Sequence, residues 1–128
     1  MTASQSLQFI TQRPRDGGCG VVVLSMLTGK SYDDVAALID WKGQPHHHAT
    51  WKELRTVLSE LGWQLGDIKA AAGWDDIHGL AIVHVMDDHF MIYDESSGLF
   101  YDPWEYEGPQ QESRRMPLSF VTVTPPSG

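Results

Sequence analysis

The pattern of apolar residues changes at Gly62, and this change constrains the fold more than any other feature. Before Gly62, apolar side chains recur at helical spacing; after it, apolar runs are short, rich in β-branched and aromatic residues and separated by turn residues. Helices followed by strands predict an α+β domain, with N-terminal helices packed on an antiparallel β-sheet. A chain of 128 residues suits one core, so we expect a single domain over residues 1–124 and a frayed tail at 125–128.

Three segments before Gly62 carry helix signals. The apolar run CGVVVLSMLT, which starts at Cys19, would also suit a buried strand, but the turn residues before it and Gly29 after it favour a helix. The spacings S-x-x-D at Ser31 and T-x-x-E at Thr50 are typical of helix N-termini. We therefore predict three helices, the third ending at Gly62.

Four segments after the third helix predict β-strands: GLAIVHV, HFMIYD, LFYD and SFVTVT. The sequence ESSG between the second and third of these predicts a hairpin turn, in which Gly98 takes a positive φ. The strands should therefore form an antiparallel sheet.

Composition excludes several classes of function. The formal net charge of -8 repels phosphate backbones and anionic lipid surfaces, which argues against nucleic-acid binding. No apolar stretch approaches the roughly 18 residues that a membrane-spanning helix needs, and no secretory signal is visible. We expect the chain to be cytoplasmic at synthesis and not inserted in a membrane, with export by a non-classical route left open. The single cysteine excludes an internal disulfide and a zinc site with more than one thiolate.

That single cysteine, Cys19, lies where a glycine-rich loop meets a predicted helix N-terminus, a position that favours a thiolate nucleophile. Such a nucleophile needs a base and a group that orients the base. His89 begins one predicted strand and Asp102 ends the next, so the hairpin should bring them to the same edge of the sheet. The two lie at unequal distances from Gly98, so we expect a bulge or a longer loop between them. The Cys19 backbone N–H and Gln12 are the candidate oxyanion donors.

The ordered combination Gln12, DGGCG, DHFMIYD and YDPW resembles the papain-like peptidase domains that trim double-glycine leaders in bacteriocin-exporting ABC transporters, and their stand-alone bacterial relatives. The resemblance implies a papain-like fold and hydrolysis of a peptide or protein substrate without a metal or organic cofactor. It also implies that Cys19 is the nucleophile, His89 the base, Asp102 the orienting residue and Gln12 the oxyanion donor. The sequence departs from the family in an extra glycine before Cys19 and in Phe90, where Trp is common.

Several alternatives remain open from the sequence. His84 is the main rival for the role of base, although strand alternation favours a sheet residue. The same catalytic residues would also serve an amidase or deamidase effector. The extra glycine before Cys19 is compatible with an inactive papain-like protein that binds a partner.

Two further segments have less specific interpretations. The run from His46 to His48 invites a metal site, but three consecutive side chains rarely bind one ion, and a solvated loop explains the run better; contact of His48 with substrate stays open. The run from Trp104 to Glu107 is either a partly buried loop, which we favour, or a wall of the cleft or a partner surface.

Overall fold

The computed structural model describes residues 9–10, 19–39, 41, 49–86, 88–105 and 108–126. Three helices come first, namely α1 (Cys19–Thr28), α2 (Tyr32–Ala37) and α3 (Trp51–Glu60). Strands follow, namely β1 (Gln64–Leu65), β2 (Lys69–Ala70), β3 (Leu80–Val85), β4 (His89–Asp94), β5 (Leu99–Tyr101) and β6 (Pro117–Thr124), with a 3₁₀ turn at Trp74–Asp76. All strand pairings are antiparallel, which confirms the predicted α+β class.

Helix α1 is buried along almost its whole length. Every residue from Cys19 to Leu27 is buried, and Gly29 ends the helix with φ of 78°. A helix that is apolar on all sides belongs in the interior, which is why its valine-rich sequence also looked like a buried strand. The helical interpretation is confirmed.

The predicted helix starts of α2 and α3 are confirmed by their capping contacts. Ser31 Oγ accepts the Asp34 backbone N–H at 3.1 Å, and the Thr50 backbone N–H donates to Glu53 Oε1 at 2.7 Å. These contacts satisfy N–H groups that a helix leaves without intrahelical partners. Gly62 follows α3 with φ of 90°, as a helix-ending glycine does.

The sheet has the strand order β1-β6-β3-β4-β5, with β2 also paired to β6. The last strand in the chain therefore lies between the first strands and β3, where it pairs Val121 with Ile82. The four predicted strands are all present. The two-residue strands β1 and β2 were not predicted, because segments so short carry no alternation.

Both faces of the sheet are covered. The helices pack on one face against Ile82, Phe90, Ile92 and Val121, together with other core residues. A second cluster on the opposite face contains Ala81, Val83, Val85, Met91, Ile77, Phe100 and Phe120, with Trp74 packed against it. This double burial explains why β3 reads as an almost continuous apolar run. Within the described ranges, no helix is both long and apolar enough to cross a membrane.

Candidate active site

Cys19 is the first residue of α1 and is only 7% exposed. Its Sγ accepts the backbone N–H of Phe90 on β4 at 3.5 Å, so the sulfur faces polar groups at the end of the sheet as well as the apolar core. The Cys19 thiol also lies near enough to the ring of His89 to raise the pKa of the imidazole. A cysteine held only by apolar packing would have neither polar neighbour.

His89 and Asp102 form a buried pair at the same edge of the sheet, with His89 Nε2 2.6 Å from Asp102 Oδ1. The β4–β5 hairpin that joins them turns at Gly98, which has φ of 72°, as predicted. Its register pairs Ile92 with Tyr101 and continues regularly to the turn. The expected bulge or longer loop is therefore wrong. By continuation of that register His89 and Asp102 are diagonal neighbours, and diagonal pairs interact without being directly opposite.

The electrostatics of the pair favour a charged carboxylate beside a basic imidazole. Burial alone would raise the pKa of Asp102, but hydrogen bonds from His89, Arg115 and the Trp104 backbone lower it to about 2. Burial lowers the pKa of His89, while its hydrogen bond with Asp102 and the nearby Cys19 thiol raise it by more, so the net shift of the His89 pKa is upward. With Nε2 engaged by Asp102, Nδ1 is the ring nitrogen available to Cys19.

Two further groups hold Asp102, and neither was recognised in the sequence. Arg115 Nε lies 2.6 Å from Asp102 Oδ2, and the Trp104 backbone N–H donates to Oδ1 at 3.0 Å. The Trp104 contact is the turn expected of an aspartate that bonds the backbone two residues on, a pattern that the D-P-W sequence could have suggested. Arg115 lies 13 residues away along the chain and has no local signature.

His84, the rival base, lies on the strand next to His89. Its Nε2 is 2.9 Å from Asp88 Oδ1, and its ring packs against Phe90 and Trp51 at centroid distances of 4.8 and 6.5 Å. Strand alternation therefore directs His84 into an aromatic cluster on the helical side of the sheet, whereas His89 meets Asp102.

Several of the remaining candidate residues lie outside the described residues, namely Gln12, the run from His46 to His48, Tyr106 and Glu107. Among the residues that the structure describes, no three His, Cys, Asp or Glu side chains gather where they could hold a metal ion. Trp104 is 37% exposed, and Glu105 lines an open cavity of about 810 Å³ that reaches Asp102.

Comparisons with known proteins bear on the fold. No family model and no curated protein matches the sequence. Among solved structures, the chain is similar to a double-glycine-motif protease from an AMS/PCAT transporter, in complex with the leader peptide, with a TM-score of 0.68 and 14% identity over 94% of this chain and 92% of that one. It is also similar to the peptidase domain of Streptococcus ComA, a bifunctional ABC transporter involved in quorum sensing, with a TM-score of 0.63 and 15% identity over 94% of this chain and 99% of that one.

Each similarity extends over nearly the whole length of this chain and of the compared structure, and both agree with the resemblance of the sequence motifs. At 14% and 15% identity, the two similarities show a shared fold. The chain therefore has the papain-like fold of the double-glycine peptidase domains of ABC transporters.

Proposed function

We propose that the chain is a cysteine peptidase that uses Cys19, His89 and Asp102. The observation that carries this proposal is the buried His89–Asp102 pair, with Nε2 and Oδ1 2.6 Å apart, beside the thiol of Cys19 at a helix N-terminus. A nucleophile, a base within hydrogen-bond reach and a group that orients the base are the parts that acyl transfer through a covalent intermediate requires.

In the first half of the proposed reaction, His89 Nδ1 takes the proton of the Cys19 thiol. The sulfur attacks the carbonyl carbon of the scissile peptide bond, and the carbonyl oxygen becomes an oxyanion. The Cys19 backbone N–H serves as one oxyanion donor, because the first N–H groups of a helix have no intrahelical acceptor. Gln12, outside the described residues, is the proposed second donor.

In the second half, the C–N bond breaks and the leaving amine takes the proton from His89. A water molecule then gives a proton to His89 and attacks the thioester carbonyl carbon. The C–S bond breaks, the acid product leaves, and His89 returns the proton to the sulfur. Asp102 stays ionised throughout, because its pKa of about 2 lies far below neutral pH. It fixes the ring and stabilises the transient imidazolium.

We propose peptides with small residues at the scissile bond as substrates, of the double-glycine leader type. Because Cys19 is only 7% exposed, bulky side chains beside the scissile bond would keep the carbonyl carbon away from the sulfur. The protease of similar fold from an AMS/PCAT transporter was solved in complex with a leader peptide. A free catalytic thiol suits a reducing compartment, so we propose action in the cytoplasm.

The test uses fluorogenic peptides with Gly-Gly before an aminocoumarin amide, and matched peptides with Leu-Leu. We expect cleavage of the Gly-Gly peptides only, no cleavage by Cys19→Ala, and a loss of about 100-fold or more in His89→Ala. His84→Ala is the matched histidine control and should keep activity close to that of the unchanged protein.

Iodoacetamide labelling separates the alternatives. We expect Cys19 to react faster than free cysteine near neutral pH, and His89→Ala to slow the reaction. Labelling no faster than free cysteine, together with intact peptides, would point to an inactive binding protein. Fast labelling with conversion of side-chain amides but no peptide fragments would point to a deamidase.

A further inference from the structure

The carboxylate of Asp102 has partners on both of its oxygens. Oδ1 accepts from His89 Nε2 at 2.6 Å and from the Trp104 backbone N–H at 3.0 Å, and Oδ2 accepts from Arg115 Nε at 2.6 Å. Asp102 itself is only 5% exposed, so these protein groups supply the hydrogen bonds that water would otherwise make. The hydrogen bond from Arg115 is charge-assisted and belongs to the stronger class.

Arg115 is fixed by its own surroundings. Its backbone carbonyl accepts Trp74 Nε1–H at 3.0 Å, and its backbone N–H donates to Ser113 Oγ at 3.1 Å. Trp74 in turn packs edge-on against Phe100 and Tyr93 at centroid distances of 4.8 and 5.5 Å. The segment before β6 is therefore anchored to the second cluster, on the face of the sheet opposite the helices. The side chain of Arg115 thus extends from a fixed backbone position.

We propose that Arg115 is a positioning residue of the site, which locks the Asp102 carboxylate behind His89 and neutralises part of its charge. This inference rests on the proposed cysteine peptidase function. Without a partner on Oδ2, the carboxylate can rotate about its Cβ–Cγ bond, and the imidazole loses its fixed orientation. Without the neighbouring positive charge, the same carboxylate stabilises the protonated imidazole of His89 more strongly, which raises the pKa of His89.

Other charged groups surround the histidine–carboxylate pair and enter its pH dependence. The Cys19 thiol lies at the start of α1, and Glu105 lines the cavity that reaches Asp102. Glu112 and Arg114 line the open cavity next to Asp102. An experiment must therefore separate the effect of Arg115 from the thiol and from a general change of charge.

The first measurement is the titration of His89 by NMR in a Cys19→Ala background, which removes the coupled thiol. We expect Arg115→Gln to move the His89 midpoint upward by about half a pH unit or more. Arg114→Gln removes the same charge from an exposed neighbour that lines the same cavity, and it should leave the midpoint nearly unchanged. Equal shifts in the two variants would overturn the inference.

The second measurement is turnover with Cys19 present. We expect Arg115→Gln to lower kcat by about 10- to 100-fold with little change in KM, because misorientation of a catalytic group affects the chemical step. Arg115→Lys keeps the charge but not the planar guanidinium. It should return the His89 midpoint toward its original value while kcat stays low, which a purely structural role would not produce.

Failure of this inference is distinguishable from failure of the proposed function. If no peptide is cleaved by the unchanged protein, the proposed function fails, yet the His89 titration still reports the coupling to Arg115. If peptides are cleaved and Arg115→Gln changes neither the His89 midpoint nor kcat beyond the Arg114→Gln control, only the role of Arg115 is rejected. If Arg115→Gln does not fold, Arg115→Lys carries the test, and an unchanged kcat in it overturns the positioning role.

Discussion

At the scale of single residues, Asp102 shows how a buried charge is maintained. Its surroundings hold its pKa at about 2, below the ordinary value of 3.8, because the hydrogen bonds from His89, Arg115 and Trp104 outweigh the effect of burial. A lowered carboxyl pKa stabilises the folded state at pH values above 3.8, and this contribution is lost as the pH falls toward 2. The contribution of His89 to stability has the opposite pH dependence. Its raised pKa stabilises the folded state below pH 6.5, and this contribution is lost as the pH rises through the pKa of the folded state. The pair therefore contributes most between about pH 4 and pH 6.5.

We predict that the free energy of unfolding falls steeply between pH 5 and pH 2.5, with on the order of 2 kcal/mol of the loss due to Asp102. In Asp102→Asn, the fall in the free energy of unfolding over this pH interval should be smaller by that amount. Urea denaturation followed by tryptophan fluorescence measures both proteins. Glu95→Gln is the control, because Glu95 is an exposed carboxylate whose pKa is lowered by the Gly79 backbone and by His78. If the Asp102 and Glu95 variants change the pH dependence equally, the buried pair has no special contribution.

At the scale of elements, the position of Cys19 depends on the close approach of α1 and α3. A Cβ atom on Gly20 would lie 2.8 Å from Ala49 Cβ and 3.4 Å from Leu54 Cδ2. Gly20 thus lets the start of α1 pack against the start of α3, directly after the candidate nucleophile. The sequence showed a glycine after Cys19 but not the neighbour that requires it, because Ala49 lies far along the chain, just before α3.

We predict that Gly20→Ala destabilises the fold by about 1–3 kcal/mol, since the overlap with Ala49 must be relieved by shifting one helix. Helix propensity alone predicts the opposite sign, with a gain of about 1 kcal/mol. Gly73→Ala should change stability by less than about 0.5 kcal/mol, because Gly73 has extended backbone and open space around its Cβ position. Urea midpoints of the two variants check this, and a Gly20→Ala protein as stable as the original would contradict it.

At the scale of the whole molecule, one sheet is shared by two cores. Strands β3 and β4 contribute residues to the helical side and to the opposite side alternately. Strand β6, the last strand in the chain, pairs with β1, β2 and β3. Loss of β6 would therefore expose both faces and the edge of β3 at once, which favours a single cooperative unfolding transition.

We predict that Val121→Ala, on β6, lowers the unfolding free energy by about 2 kcal/mol, from two lost methyl groups and the cavity left behind. Val121 is 1% exposed and pairs with Ile82. Circular dichroism and tryptophan fluorescence should report the same shifted midpoint. Leu118→Ala, on the same strand but 45% exposed, should have an effect of less than about 0.5 kcal/mol. Separate midpoints for the two probes would indicate that the two cores unfold independently.

The local features of the protein follow directly from its sequence. The caps at Ser31 and Thr50, the helix end at Gly29 and the hairpin turn at Gly98 depend on residues a few positions apart, so their spacing carries the information. The order of helices before strands predicted the α+β class. The predicted hairpin placed His89 at the same edge of the sheet as Asp102, as the structure shows.

Contacts between distant residues, in contrast, depend on the tertiary structure. It places β6 beside β3, packs the ring of His84 against Trp51, and brings Arg115 onto Asp102. The expected bulge was wrong because register counting assumes opposite partners, while long side chains also reach diagonal ones. Such contacts arise from packing between elements, and packing is not encoded in the spacing of any one segment.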